Sequence, residues 1–495
     1  MAITLEKAPQ LAARHVTAQV QKALKSSPVV LVQGPRHSAL LGVEPELGLA
    51  ALEGQSAGAA LALAVGGAGR TVINLNGFVE RIEAQRDPAA LIGGPGPFTI
   101  LEVQRAPGLL VAIQQAVKAD ATPGRFLLTA SNELSEVLKV LHADWLNLPM
   151  AVVNLLPPSE LELRNSTHNW LDALFAGNIP KTAKDDLLLG EALLERMLHG
   201  SHLECIARDR PRSRHAWNDK HLAALLDSPP KRLMGAKEIK LLSKYADVQV
   251  PPSDLSDLRA VSPIDKPLRM PGLLMALANG VGGISNYRQW GQTVDMDSKT
   301  TERYTFALEQ LYLVRSIAGL GVDGEEGAPS YFNIKDQARM VKAPKYHFGD
   351  SAMLGFLLDQ NSIHRYRERE EAGTVWNPQT AQVLESYVVS ELLKQADCAS
   401  GSYHFGHYRD HDQLEVDLVI ANAKKEMIAI DIKARTEIHK SETRGIQQLA
   451  EKLGKGLKMG VMLYDGDTVH KLMDLEGGAP LYAVPVSSLW GKKTG

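Results

Sequence analysis

The chain has 495 residues, which is enough for about three domains, and its 54 Lys and Arg against 57 Asp and Glu give a net charge of −3. This balance excludes a uniformly basic nucleic-acid coat protein and a highly charged disordered tail, but it leaves room for a local basic groove. Hydrophobic residues make up 44% of the chain and charged residues 22%, as in ordinary globular proteins.

The cysteine content and the apolar segments indicate where in the cell the protein is expected to be. Two cysteines, Cys205 and Cys398, are too few for a disulfide framework or an all-cysteine zinc site, so we expect a reducing, cytoplasmic location. The N-terminus carries charges and has no unbroken apolar core, which argues against a signal peptide. The apolar run at residues 56–69 is shorter than the roughly 20 residues of a membrane span. We therefore expect no membrane partner.

The first third of the chain alternates strand-like and helical patterns. Strands alternating with helices predict a parallel α/β sheet, and we place this first domain at residues 1–160. A helix is expected at residues 108–118. The apolar runs that predict strands are residues 27–33, 70–75, 98–103, 125–129 and 150–155.

The middle of the chain reads as helical. Residues 161–264 form a helical region, and residues 265–340 form a smaller module with short helices expected at 271–280, 285–292 and 297–313. Short helices joined by turns predict a helix-turn-helix or winged helix. Lys299, Thr300, Arg303 and Tyr304 begin the last of these helices, where they either contact DNA or pack within the module.

Residues 341–495 return to an α/β pattern and form the last predicted domain. Helices are expected at residues 381–394 and 445–453, and strands at 402–408, 414–420, 427–432 and 458–463. The fold class that we predict is therefore α/β, with a parallel sheet first, a helical and winged-helix middle, and a second α/β unit at the C-terminus.

A glycine turn follows the first predicted strand, at the place where phosphate-binding loops lie. The full GxxxxGK[ST] motif supplies a lysine for the phosphates and a hydroxyl for Mg²⁺. Here residues 34–41 read GPRHSALL, so Ala39, Leu40 and Leu41 stand at the positions of Gly, Lys and Ser/Thr. Taken alone, this segment predicts only a strand followed by a turn.

Three further segments fall in order behind it: FTILEVQRAP at residues 98–107, TAS at 129–131 and LLPPSE at 155–160. Together they resemble a family of prokaryotic P-loop ATPases with an AAA-like N-terminal domain, whose members carry GPRQxGKTTLL, hhhDExQRxP, TGS and PLSxxE segments. The resemblance runs from about Arg14 to Trp490. It implies an AAA-like first domain and a C-terminal domain of unknown function that looks like a restriction endonuclease.

The departures from this family all affect ATP chemistry. The P-loop lysine is absent, and Leu101 replaces the magnesium-side Asp, which leaves Glu102 of the acidic pair. Loss of these charges removes the stabilisation that phosphoryl transfer needs, so we expect ATP binding to be weak or lost. The remaining candidates for a nucleotide site are Gly34, Arg36, Ser38 and Glu102. The alternative is that Glu102 only caps its strand and pairs with neighbours.

The second candidate site lies in the C-terminal domain. In the predicted strand LEVDLVI, the two-residue period places Leu414, Val416, Leu418 and Ile420 on one face and Glu415 and Asp417 on the other. In MIAIDIKA, the same period places Asp431 and Lys433 opposite Ile428, Ile430 and Ile432. Two neighbouring strands would then present Asp417, Asp431 and Lys433 together, with Glu385 on the preceding helix.

This arrangement resembles the PD-(D/E)XK nuclease superfamily, with Asp431, Ile432 and Lys433 as its D-x-K element. The resemblance implies that Asp417 and Asp431 hold Mg²⁺, that Lys433 acts on the attacking water and phosphate, and that Glu385 assists as a ligand or base. Lys345 and Asp350 lie in a segment, KAPKYHFGD at residues 342–350, that resembles the KxPKxYFxD segment of the same P-loop ATPase family. They are interpreted as structural residues that join a strand to a turn. The alternative is a face of solvated charges over an apolar core.

We therefore expect a nucleic-acid-acting protein with DNA as the favoured partner, a Mg²⁺-dependent phosphodiester-cleaving centre and no ATP hydrolysis. Two alternatives are a non-catalytic adaptor that binds DNA or protein, including a second copy of the chain, and a nucleotide-binding switch without hydrolysis.

Overall fold

The computed structural model describes most of the chain, including every predicted site residue except Arg36 and Ser38, which lie outside the described residues. Within the described part, no helix combines the length and the apolar composition that a membrane crossing requires. The described residues are 15–35, 57–66, 69–94, 96–131, 134, 150–164, 166, 168–208, 210–226, 264, 266–320, 332, 340–358, 367–370 and 373–491.

A five-stranded sheet forms the N-terminal part, in the order β2-β3-β4-β1-β5. All of its pairings are parallel, which confirms the parallel α/β sheet predicted from the sequence. Its strands are β1 (Val29–Gln33), β2 (Thr71–Asn74), β3 (Phe98–Leu101), β4 (Phe126–Ala130) and β5 (Met150–Asn154). The helices are α1 (His15–Ser26), α2 (Ala57–Gly66), α3 (Phe78–Arg86), α4 (Pro88–Leu91) and α5 (Gly108–Ala119).

Helices cover both faces of this sheet, which explains why its inner strands β1, β3 and β4 are buried throughout. Leu31 and Leu128 pack with Ile113 of α5 on one face. Val30 and Val32 pack with Val20 of α1 on the other. Every residue of β1 is buried as a result.

The middle of the chain is helical, as predicted, and it leads into an antiparallel strand pair, β6 (Val314–Ile317) and β7 (Lys345–Phe348). The last helix before this pair, α13, begins where Asp297 accepts a hydrogen bond from the Thr300 amide at 2.9 Å. The helices are α6 (Glu160–Leu163), α7 (Trp170–Phe175), α8 (Glu191–His199), α9 (Leu203–Ile206), α10 (Pro211–Leu226), α11 (Met270–Asn279), α12 (Tyr287–Thr293) and α13 (Ser298–Gln310).

A separate six-stranded mixed sheet forms the C-terminal part, in the order β10-β11-β12-β13-β15-β14. The predicted strands are all present, and two more, β14 and β15, extend the sheet. The elements are α14 (Ser351–Leu357), β8 (Arg367–Glu370), β9 (Gly373–Trp376), α15 (Pro378–Asp397), β10 (Tyr403–Arg409), β11 (Glu415–Asn422), β12 (Met427–Lys433), α16 (Arg444–Leu453), β13 (Leu457–Tyr464), β14 (His470–Asp474) and β15 (Pro480–Pro485).

One hydrophobic core joins the helical middle to the C-terminal sheet. It contains Leu193 of α8, Leu273 of α11, Val388 of α15 and Ile430 of β12. The N-terminal sheet has its own two clusters, drawn from residues between Val16 and Leu155. The long helix α15 therefore lies between the middle helices and the C-terminal sheet, and it carries Glu385 at their junction.

Candidate functional site

The four residues predicted for the C-terminal site lie together in the structure, with two more charged residues that complete the group. We call the six the carboxylate–lysine cluster. Its members come from strands β7, β11 and β12 and from helix α15: Lys345, Glu385, Glu415, Asp417, Asp431 and Lys433.

A β-bulge sets the position of Asp417. The pairs Gly406–Val419 and Tyr408–Val416 leave Asp417 and Leu418 opposite a single residue of β10. A bulge of this kind re-aims side chains and is common beside active sites. Beyond it the ladder with β12 stops, and the Asp417 carboxylate accepts the Ile432 N–H at 2.8 Å in place of a strand carbonyl.

The bulge also corrects the predicted strand faces. Leu418 and Ile420 pack in the core shared with α15, whereas Val416 packs in a different cluster that includes Ile446 of α16. The prediction that Val416 shares a face with Leu418 and Ile420 is therefore wrong, because the extra residue inverts the alternation. The predicted alternation in β12 holds for Ile428, Ile430 and Ile432.

Lys345 lies at the centre of the cluster. Its side chain is fully buried, and its ammonium lies 3.5 Å from Glu385 Oε1 and 3.4 Å from Asp417 Oδ1, in direct contact with Glu415. Burial alone would lower the pKa of Lys345, but the three carboxylates outweigh it and raise the pKa. The lysine is therefore charged, and it does more than join a strand to a turn.

The carboxylates differ in their affinity for protons. Burial raises the pKa of Glu385 to about 8, against the opposing effect of Lys345. Burial and the nearby Asp417 raise the pKa of Asp431 to about 7. Burial opposes ionisation of Asp417 too, but Lys345 and Lys433 lower its pKa to about 2. Near neutral pH the cluster therefore holds one firmly ionised aspartate beside groups that take up protons.

Two histidines close one side of the cluster. Burial, followed by the charge of Lys345, lowers the pKa of His347 to about 3 and that of His407 to about 4. His407 Nε2 donates to the Ala343 carbonyl at 3.0 Å, and His347 Nε2 lies 4.0 Å from Glu385 Oε1. Both rings are thus neutral at physiological pH. The sequence pattern predicts no role for either histidine in this site.

The two aspartates suit a magnesium ion better than the full predicted set does. Asp417 N–H lies 3.4 Å from Asp431 Oδ1, so the carboxyl groups are neighbours, and Mg²⁺ commonly takes one or two carboxylates and completes its shell with water. Burial, the larger cause, and the charge of Asp417 both raise the pKa of Asp431, and a cation would relieve the repulsion between the two carboxylates. Glu385 is drawn to Lys345 instead. Asp417 and Asp431 therefore fit the ion, and Glu385 is better placed as a partner of Lys345.

The two described residues of the predicted nucleotide site, Gly34 and Glu102, make hydrogen bonds within the chain. Gly34 N–H donates to the Ala130 carbonyl at 3.2 Å, and Pro35 has no N–H to offer. Glu102 is buried and accepts hydrogen bonds from Gln104 at 2.8 Å and Ser131 at 2.7 Å. Arg36 and Ser38 lie outside the described residues. Gly34 and Glu102 are therefore both hydrogen-bonded to other residues of the N-terminal domain.

Helix α13 carries the four residues that were predicted either to contact DNA or to pack within the module. Tyr304 is buried and receives the Lys266 N–H at 2.9 Å, so it serves packing. Thr300 is used at the helix cap. Lys299 and Arg303 are exposed, and the Arg303 guanidinium lies 5.4 Å from the centre of the Tyr304 ring.

Two family models match the chain, and both describe domains of unknown function. DUF4143 matches residues 381–487, which include Glu385, Asp417, Asp431 and Lys433. DUF8612 matches residues 255–363, which include Lys345 and the helices α11 to α13. No curated protein matches the sequence. The carboxylate–lysine cluster is therefore assembled from both matched segments.

Proposed function

We propose that the protein acts on nucleic acid and that the carboxylate–lysine cluster is a Mg²⁺-dependent centre for phosphodiester cleavage. The observation that carries this proposal is the convergence of Glu385, Asp417, Asp431 and Lys433 from three separate segments. Of these residues, Asp431 is buried and the other three are partly buried, whereas solvated charges on a sheet face would be exposed. The pKa values of solvated charges would also not be displaced in opposite directions.

Each residue has a distinct role in the proposed centre. Asp417 and Asp431 hold the ion, which would supply charge stabilisation and an acidified water. Lys433, whose ammonium lies 3.0 Å from Asp431 Oδ2, is placed to contact a phosphate oxygen. Lys345 keeps Asp417 ionised, and Glu385 Oε1 lies 3.5 Å from the Lys345 ammonium. The exposed Lys299 and Arg303 of α13 support DNA as the partner.

The N-terminal sheet serves in this proposal as an AAA-like P-loop domain that no longer hydrolyses ATP. The absent P-loop lysine and the internal hydrogen bonds of Gly34 and Glu102 support this role. Thermal unfolding with and without Mg²⁺-ATP tests it, because a ligand that binds only the folded state raises stability. We expect no shift; a saturable rise would favour the nucleotide-binding switch.

The central experiment combines purified protein with labelled single- and double-stranded DNA and RNA, in Mg²⁺ or Mn²⁺, and scores binding and cleavage. Asp431→Asn and Lys433→Met should abolish cleavage because they remove an ion ligand and a phosphate contact. Lys424→Met, at an exposed position of the β11–β12 turn, is the matched control and should cleave normally. Thermal unfolding of each variant separates loss of chemistry from loss of fold.

A non-catalytic adaptor is the second candidate, and Lys345 is the observation that favours it. Its ammonium already pairs with Asp417, one of the two proposed ion ligands. Nucleic acid bound but not cleaved by the folded wild-type protein in either metal would overturn the nuclease proposal and support the adaptor. Cleavage that persists in Asp431→Asn would also overturn it.

A further inference from the structure

A second group of metal-binding side chains lies away from the carboxylate–lysine cluster. His15 at the start of α1, Glu162 in α6 and Cys398 immediately after α15 place their ligand atoms within 4.8 Å of one another. Among the residues that the structure describes, these three side chains lie close enough together to share one metal ion. The three positions are far apart in sequence, so tertiary structure alone brings them together.

Backbone contacts fix Glu162 within this group. Its carboxylate completes a capping box by accepting the Ser159 N–H at 3.0 Å, and its other oxygen accepts the His15 N–H at 3.0 Å. The Ser159 hydroxyl donates at 3.5 Å to the same oxygen as the Ser159 N–H does, so the carboxylate is held from two sides. Glu162 is 3% exposed, which makes its orientation a property of the fold.

The neighbouring contacts hold α1 against the end of α15. Gln19 Nε2 donates to the Asp397 carbonyl at 2.8 Å, one residue before Cys398. The Asp397 carboxyl in turn makes a hydrogen bond with Asn154, at the end of β5. The ligand group thus sits at an interface that is already formed by other bonds, as a preorganised site requires.

We propose that His15, Glu162 and Cys398 bind one Zn²⁺ ion through the imidazole, the carboxylate and the thiolate. Zinc accepts all three donor types, whereas Mg²⁺ avoids sulfur. Tetrahedral zinc with bonds of about 2.0 to 2.3 Å spaces its ligand atoms roughly 3.3 to 3.7 Å apart, so the observed spacing closes with small side-chain movements. A carboxylate and a thiolate together balance the charge of the ion.

Such an ion would fasten three parts of the molecule. His15 belongs to the N-terminal sheet's first helix, Glu162 to the helical middle, and Cys398 follows the helix that carries Glu385. With three protein ligands, the fourth position is left to water or to an exogenous donor, as in open zinc sites. The site lies outside the proposed cleavage centre and does not depend on it.

The test uses untagged full-length protein stripped with chelator, then given Zn²⁺ or Co²⁺ and desalted. We expect one tightly held zinc ion per chain, a thiolate-to-cobalt charge-transfer band, and a rise in melting temperature with zinc. Cys398→Ala and His15→Ala should lose all three. Cys205→Ala, at the buried cysteine of α9, and Asp431→Asn should keep them.

A further variant guards against simple misfolding. Cys398→His replaces one zinc ligand by another, so it should retain zinc while losing the thiolate-to-cobalt band. The proposal is overturned if the wild-type chain holds no stoichiometric zinc. It is equally overturned if folded Cys398→Ala and His15→Ala bind zinc as tightly as Cys205→Ala does.

Discussion

Lys345 shows how much of the candidate site depends on one buried charge. Its ammonium lies among Glu385, Glu415 and Asp417 and is completely shielded from solvent. The three carboxylates are partly buried, with 13 to 27% of each side chain exposed. Withdrawing them from water carries a desolvation cost that the charge of the lysine offsets.

Replacing this lysine tests that conclusion. Lys345→Met keeps a long apolar stem but removes the charge, which leaves three carboxylates without their central cation. Breaking a buried pair in this way typically costs about 3 to 5 kcal/mol, so we expect the free energy of unfolding in denaturant to fall by that amount. Lys424→Met, on the surface, should change it by less than about 0.5 kcal/mol. Equal, small effects of both substitutions would contradict a central role for Lys345.

The raised pKa of Glu385 predicts a dependence of stability on pH. Its pKa is about 8 in the folded chain and about 4.3 in an unfolded one, so the folded state binds the proton more tightly. This group's contribution is therefore complete below about pH 4 and is lost as the pH rises through about 8. Asp417 acts in the opposite direction, because its folded pKa is lowered to about 2. Its contribution to stability is present above about pH 4 and is lost as the pH falls toward about 2.

Glu385→Gln isolates that effect, because the amide is neutral at every pH. We expect the melting temperature of this variant to rise relative to wild type as the pH increases from mildly acidic to alkaline. Thermal unfolding at matched ionic strength measures the difference. Parallel curves for the two proteins across this range would show that Glu385 has no raised pKa.

At the scale of elements, the sequence predicts what depends on local pattern. Strand β1 is buried throughout because both of its faces are covered, and α13 begins at Ser298, within one residue of its predicted start. The face of Val416 could not be predicted, since the bulge at Asp417 arises from pairing with β10. The central position of Lys345 could not be predicted from the sequence either, because its three partners lie on other elements.

A glycine at position 34 can be required for phosphate binding or for packing of the strand end. A Cβ there would overlap the Leu155 carbonyl oxygen, so packing of the strand end requires glycine with or without a nucleotide. Gly34→Ala should therefore destabilise the chain by about 1 to 3 kcal/mol. Gly108→Ala, at the start of α5 where nothing lies within 4 Å, should be neutral or stabilising by up to about 1 kcal/mol. Denaturant unfolding compares them, and equal effects would refute the packing requirement.

At the scale of the whole molecule, the cores predict which parts unfold together. The predicted boundary between residues 340 and 341 falls between β6 and β7, which pair, and within the core that joins Leu273 to Val388 and Ile430. The two apolar clusters of the N-terminal sheet contain buried residues of the N-terminal part alone. Cooperative units should therefore follow these cores.

Hydrogen exchange on the full chain tests this division with two matched substitutions, Leu273→Ala in α11 and Leu128→Ala in β4, both at fully buried leucines. Each should cost about 2 to 5 kcal/mol. Leu273→Ala should lower amide protection in α15 and β11 to β13 as much as in α11, because they share one core, while β1 to β5 keep theirs. Leu128→Ala should do the reverse. If Leu273→Ala left α15 and β12 fully protected, the helical middle and the C-terminal sheet would be independent units, and the boundary at residue 340 would be a true domain boundary.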